Sequence, residues 1–113
     1  MNVKPVLRVT TETGDGVDDP SEDVLFMIFE DVNAGYGTFV IVEWLGDPSG
    51  QTYAQAGRLD DGQYVVEHRD GGPDRHWGTQ VADFRAAHEL VSGWAFRKPG
   101  WRDSVAWYRE GQG

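Results

Sequence analysis

The chain has no cysteine. A disulfide framework, a thiolate nucleophile and a Cys-based zinc site are therefore all excluded. No apolar run approaches the roughly 20 residues that span a bilayer, and the start, Met1-Asn2-Val3-Lys4-Pro5, lacks the apolar stretch of a secretory signal. These absences lead us to expect a cytoplasmic protein. Apolar residues are also few: Val, Ile, Leu and Phe make up 25 of 113 residues, just above the roughly 20% below which a charged chain stays disordered. A fold with a modest core is expected, and a chain of this length holds one such core rather than two, so residues 1–113 read as a single domain.

Cations are scarce in the first half. Residues 1–62 carry Lys4, Arg8 and Arg58 against twelve carboxylates, whereas residues 63–113 carry seven charges of each sign. The net charge of -9 thus belongs entirely to the first half. Its densest part is Glu12, Asp15, Asp18, Asp19, Glu22 and Asp23, with no cation among them. A field of this sign repels phosphate backbones and anionic membranes, because binding either relies on Lys and Arg displacing counterions. A basic protein surface is the natural partner, since complementary fields speed encounter and fix orientation. Asp15, Asp18, Asp19, Glu22 and Asp23 are accordingly the candidate docking residues, in a flexible acidic loop over about 12–20 and the helix start after it. The plainer reading of the same run is a solvated surface that keeps a small protein soluble.

Periodicity and turn chemistry predict an α+β domain. Val6, Leu7 and Val9 lie in a first strand from Lys4 to Thr11. Ser21 can cap a helix from Glu22 to Val32, with Val24, Leu25, Ile28, Phe29 and Val32 on one face. The unbroken run Val24 to Phe29 leaves a buried strand as the competing assignment. Phe39 to Leu45 alternates Val40, Val42 and Trp44 against Phe39, Ile41 and Glu43, the pattern of a strand. Thr52 to Leu59 and Tyr64 to Arg69, joined through Asp61-Gly62, complete a three-stranded meander. Thr79 is placed as the cap of a second helix carrying Val81, Phe84, His88 and Val91 and stopping at Gly93. Ser104 to Arg109 alternates as a closing strand, and residues 111–113 should fray. The expected architecture is an antiparallel sheet of about five strands with two helices packed against it, in the order strand, helix, meander, helix, strand.

Motifs for chemistry are thin. The acidic loop lacks the ligand spacing of an EF-hand. His68, His76 and His88 fall on a strand, a loop and a helix, with no i, i+4 pair to preform a zinc face, and His76 is expected to be exposed. His68-Arg69-Asp70 matches three letters of a protein-kinase catalytic loop without its Asn or its nucleotide lid. No Gly-x-Ser-x-Gly elbow occurs, and Glu43 facing Glu67 is an acid and base pair of a kind that nearly any sheet offers. No metal, cofactor or catalytic residue is assigned, and a non-enzymatic protein is expected. Aromatic residues are more informative: Trp77, Trp94, Trp101 and Trp107 cluster in the C-terminal third among Arg75, Arg97, Lys98, Arg102 and Arg109. Trp and Arg dominate interface hot spots. Trp77, with Trp101 beside Arg102, is the candidate exposed pair, although an exposed Trp serves a sugar as readily as a protein.

The stretch Val81-Ala82-Asp83-Phe84-Arg85-Ala86-Ala87-His88-Glu89-Leu90-Val91-Ser92-Gly93, the Pro99-Gly100-Trp101 connection and then Ser104-Val105-Ala106-Trp107 resemble the end of a family of immunity proteins from bacterial polymorphic toxin systems, often paired with deaminase-type toxins. Arg85-Ala86, Gly93, Pro99 and Trp107 stand where that family has an Arg-Ala pair, a glycine stop, a proline loop and a strand ending in Trp. The likeness covers about a third of the chain; the connection here is longer than the family's, and its tryptophans are more numerous. It implies an inhibitor that occludes a basic toxin and has no catalytic residues. Two other readings stand beside it: a domain binding a small molecule or sugar through a Trp and His cluster, and a homodimer paired through its edge strands.

Overall fold

The structure, a computed structural model, describes residues 4–14 and 16–109. Its elements are β1 (Leu7–Thr11), β2 (Gly16–Asp18), α1 (Glu22–Asn33), β3 (Phe39–Trp44), β4 (Thr52–Arg58), β5 (Tyr64–Asp70), β6 (His76–Val81), α2 (Phe84–Ala95) and β7 (Tyr108–Arg109). Every strand pairing is antiparallel, in the order β2-β1-β3-β4-β5-β6-β7. Among the described residues the sheet has seven strands rather than about five. The α+β class stands, and no helix among the described residues is long and apolar enough to cross a membrane.

Both helices lie on one face of the sheet. Alternation turns Leu7, Val9, Val40, Val42, Ala54, Ala56, Tyr64, Val66 and Val81 toward them, and Leu25, Phe29, Val32, Ala87, Leu90 and Val91 close the core from the helical side. Ala54 and Ala56 keep the centre of the sheet low, so α2 can cross closely over β4. Tyr64 is fully buried and donates its hydroxyl to Asn33 Oδ1 at 3.2 Å, which meets the requirement of a buried polar atom. Ser21 caps α1 by accepting from the Val24 N–H. Residues 24–29 are therefore helical, as the capping signal and the i, i+4 spacing predict.

Four expectations are corrected. Thr79 belongs to β6, not to a helix cap: Trp77, Thr79 and Val81 face inward opposite His68, Val66 and Tyr64, and Asp83 caps α2 by accepting from the Ala86 N–H. Gly93 does not stop α2, which continues to Ala95; it sits inside the helix because a Cβ there would stand 2.3 Å from Trp101 Cβ. The closing strand shrinks to Tyr108–Arg109, since Trp101 and Trp107 turn inward and Arg102–Ser104 forms a single 3-10 turn. Most of the acidic loop is a hairpin, with β2 paired to β1. Asp15 and residues 111–113 lie outside the described residues.

Candidate functional site

Three of the candidate docking carboxylates are engaged within the fold. Arg8 Nε donates to Asp18 Oδ1 at 2.7 Å across the β1–β2 pair, and this hydrogen bond holds Asp18 below the ordinary carboxylate range. Asp19, at φ +47°, accepts the backbone N–H groups of Val6 and Leu7 at 2.9 and 3.0 Å and so clamps the start of β1. Glu22 is ion-paired with Lys98, whose hydrogen bond lowers its pKa. Asp23 is exposed in the first turn of α1, where its charge suits the helix dipole.

The uncompensated charge lies further along α1. Glu30 and Asp31 fall in its last turn, where the helix dipole disfavours negative charge, and no basic residue accompanies them there. Neither has an ion pair among the described residues. At about 100° per residue the solvent side of α1 reads Glu30, Asp23, Met27, Asp31, Val24, with half-buried Ile28 at its margin, so carboxylates lie beside apolar side chains. Met27 is 61% exposed, and Tyr36, just beyond the helix, is 70% exposed. A groove of about 570 Å3 runs between α1 and the β1–β2 hairpin, lined by Val17, Ile28, Asp31 and Tyr36 among others. Met27, Glu30, Asp31 and Tyr36 were not singled out from the sequence. The available signals were a twelve-residue helix without one Lys or Arg, and a methionine lying off its apolar stripe.

The aromatic pair is brought together, but as packing. His68 is 1% exposed, stacks on Trp77 at 5.1 Å, and meets the edges of Trp101 and Trp107 at 5.1 and 4.6 Å. Arg102 lies over the Trp77 ring at 4.7 Å, and its carbonyl accepts from the Trp107 indole N–H. Trp77 and Trp101 are thus half-buried walls around a histidine rather than an exposed pair. Alternation explains it: His68 and Trp77 are register partners on the helix-bearing face. His68 Nδ1 stands 3.5 Å from Asp70 Oδ1, and the neighbouring imidazole holds Asp70 below its usual pKa range, with a smaller contribution from the Arg102 charge.

The helix-free face carries a second polar group. His76, expected to be exposed, is buried as the first residue of β6. Arg69 Nε donates to its Nδ1 at 2.9 Å, so Nε2 carries the proton and donates to Glu67 Oε2 at 2.6 Å. Gln51 accepts from Arg69, and Gln55 donates to the other Glu67 oxygen. With both ring nitrogens occupied, His76 locks three strands together. Glu43 and Glu67 do not face one another: they stand on β3 and β5 with β4 between them, roughly 10 Å apart. Among the described residues no group of three or more His, Asp or Glu is placed to hold a metal ion.

The fold is a two-layer α+β sandwich with an acidic helix on one flank. No family model, no curated protein and no solved structure matches the chain.

Proposed function

We propose that this is a non-enzymatic, cytoplasmic protein-binding domain that docks a basic partner on the solvent side of α1, as an immunity protein occludes a toxin. One observation carries the reading. Glu30 and Asp31 occupy the end of α1 where negative charge weakens the helix, with no ion pair among the described residues and beside the exposed Met27 and Tyr36. Charge that costs the isolated fold and is offset by a partner is a mark of an interaction surface. Apolar side chains among carboxylates supply the contact area, and the carboxylates steer a basic surface into place. Asp23 belongs to this surface, and the net charge of -9 extends its reach. Asp18, Asp19 and Glu22 support it by holding the hairpin and helix that frame the groove.

Edge-strand dimerisation is the weaker reading, because among the described residues the two edges are short, three and two residues. The test is co-expression with the product of the adjacent reading frame. A basic toxin-like product should form an isolable complex and lose activity in it. A complex that survives reversal of Asp23, Glu30 and Asp31 to Lys without loss of affinity would place the interface elsewhere.

A further inference from the structure

A second concavity opens at the far end of the helical layer, between the C-terminus of α2 and the ends of β1, β3, β4 and β5. It measures about 610 Å3 and is lined by Leu7, Trp44, Pro48, Asp70, Trp94 and Arg97 among others. Two of its walls are indoles, whose ring faces attract positive charge. The chain already demonstrates this: the Arg97 guanidinium lies over Trp44 at 5.9 Å. Arg97 reaches that position from φ +53°, a conformation that L residues other than Asn and Asp adopt rarely. Trp44 is held in place by the following turn, where a Cβ on Gly46 would come within 2.8 Å of the indole.

The carboxylates complete the chemistry. Asp47 has both oxygens occupied by Ser49 and Thr52, so it contributes charge without a free acceptor. Asp70 differs. It accepts from the Trp94 indole, but its contacts to His68 and Arg102 are long, at 3.5 and 3.8 Å, and its side chain remains 35% exposed. A partly exposed carboxylate with acceptor capacity beyond those contacts therefore stands in a cavity with two tryptophans and one exposed cation of the chain itself. We propose that this cavity binds an organic cation, a guanidinium or alkylammonium group, which takes the place of the Arg97 head against Trp44 and Trp94 and directs its charge to Asp70.

The cavity is lined by none of the residues assigned to the α1 surface, and its test needs no protein partner. Quenching of Trp fluorescence is followed on the whole chain with two matched pairs: choline against 3,3-dimethyl-1-butanol, and N-acetylarginine amide against N-acetylcitrulline amide. Each pair differs in charge at nearly constant shape. Saturation by choline alone assigns a free alkylammonium compound, and saturation by the arginine amide alone assigns a basic side chain; either supports the proposal. Asp70→Asn should weaken the active cation by on the order of tenfold, and Arg97→Gln, by removing the internal competitor, should tighten it. Arg97 is exposed and its variant should fold even if Asp70→Asn does not. Equal binding of the neutral members, weaker binding in Arg97→Gln, or no saturation by either cation below about 10 mM would overturn the assignment.

Discussion

Replacing Gly93 by Ala separates the local physics of a helix from the packing around it. In an exposed helix interior this change stabilises by about 0.8–1 kcal/mol, since glycine loses more backbone entropy than any other residue. Gly93 is buried in α2, and a Cβ there would lie 2.3 Å from Trp101 Cβ and 2.9 Å from its Cγ. Relief requires Trp101 to move by more than about 1 Å, because carbon atoms pack at roughly 3.5–4 Å. Trp101 cannot yield alone, since its ring meets His68 at 5.1 Å and Trp107 at 5.9 Å. Overpacking of this kind costs about 1–3 kcal/mol, and each disturbed aromatic pair adds about 0.5–1.5 kcal/mol. The cost exceeds the propensity gain, leaving a net loss of about 1–5 kcal/mol, or a fall of roughly 4–20 °C in the melting midpoint for a chain of this length. Gly57→Ala, inside β4, is the control, as a Cβ there meets nothing within 4 Å, and it should hold or slightly raise the midpoint. Thermal melts followed by far-UV circular dichroism and by Trp fluorescence read both variants. A Gly93→Ala protein as stable as the parent, or more so, would refute the packing of Trp101 on α2.

Three further outcomes follow from the same contacts. Asp19→Ala, which releases the N–H groups of Val6 and Leu7, should lower the midpoint by about 2–4 °C, whereas Asp23→Ala should change it far less; equal effects would mean that the clamp is absent. Asp70 has a depressed pKa in the fold, so the stability it contributes is complete above the unfolded value near 4 and declines as pH falls from there through the lower folded value. Asp70→Asn should therefore flatten the acid limb of a stability profile measured by urea titration between about pH 5 and pH 2, and an unchanged limb would contradict it. Melts of the parent chain by the two spectroscopic probes should coincide, because helices and sheet share one core; two separated transitions would show otherwise.

What could be read from the sequence was local. The β3 alternation and the Ser21 cap of α1 depend on neighbours within a few positions, and both elements form as the pattern predicts. β6 escaped because Val81 and Phe84 are spaced as on a helix while Trp77, Thr79 and Val81 are spaced as on a strand, and only the facing residues of β5 decide between them. The docking carboxylates pose a different problem. Glu22 meets Lys98 across 76 positions and Asp18 meets Arg8 across ten, so composition could show an excess of acid without showing which acids were already paired. The tryptophans pose the same problem, since enrichment of Trp near Arg describes a hot spot and a packed cluster equally well until His68 is seen to occupy the centre.

The central claim, that unpaired acid on α1 recruits a basic partner, is tested most directly by the association rate. A basic partner isolated by co-expression would be mixed by stopped flow with the parent chain and with an Asp23→Asn, Glu30→Gln, Asp31→Asn triple variant, at several salt concentrations. The account predicts that the variant associates on the order of tenfold more slowly at low salt, with a flatter dependence on ionic strength and a nearly unchanged dissociation rate, while its melting midpoint rises by about 1–3 °C. An association rate and salt slope equal to those of the parent chain would contradict it.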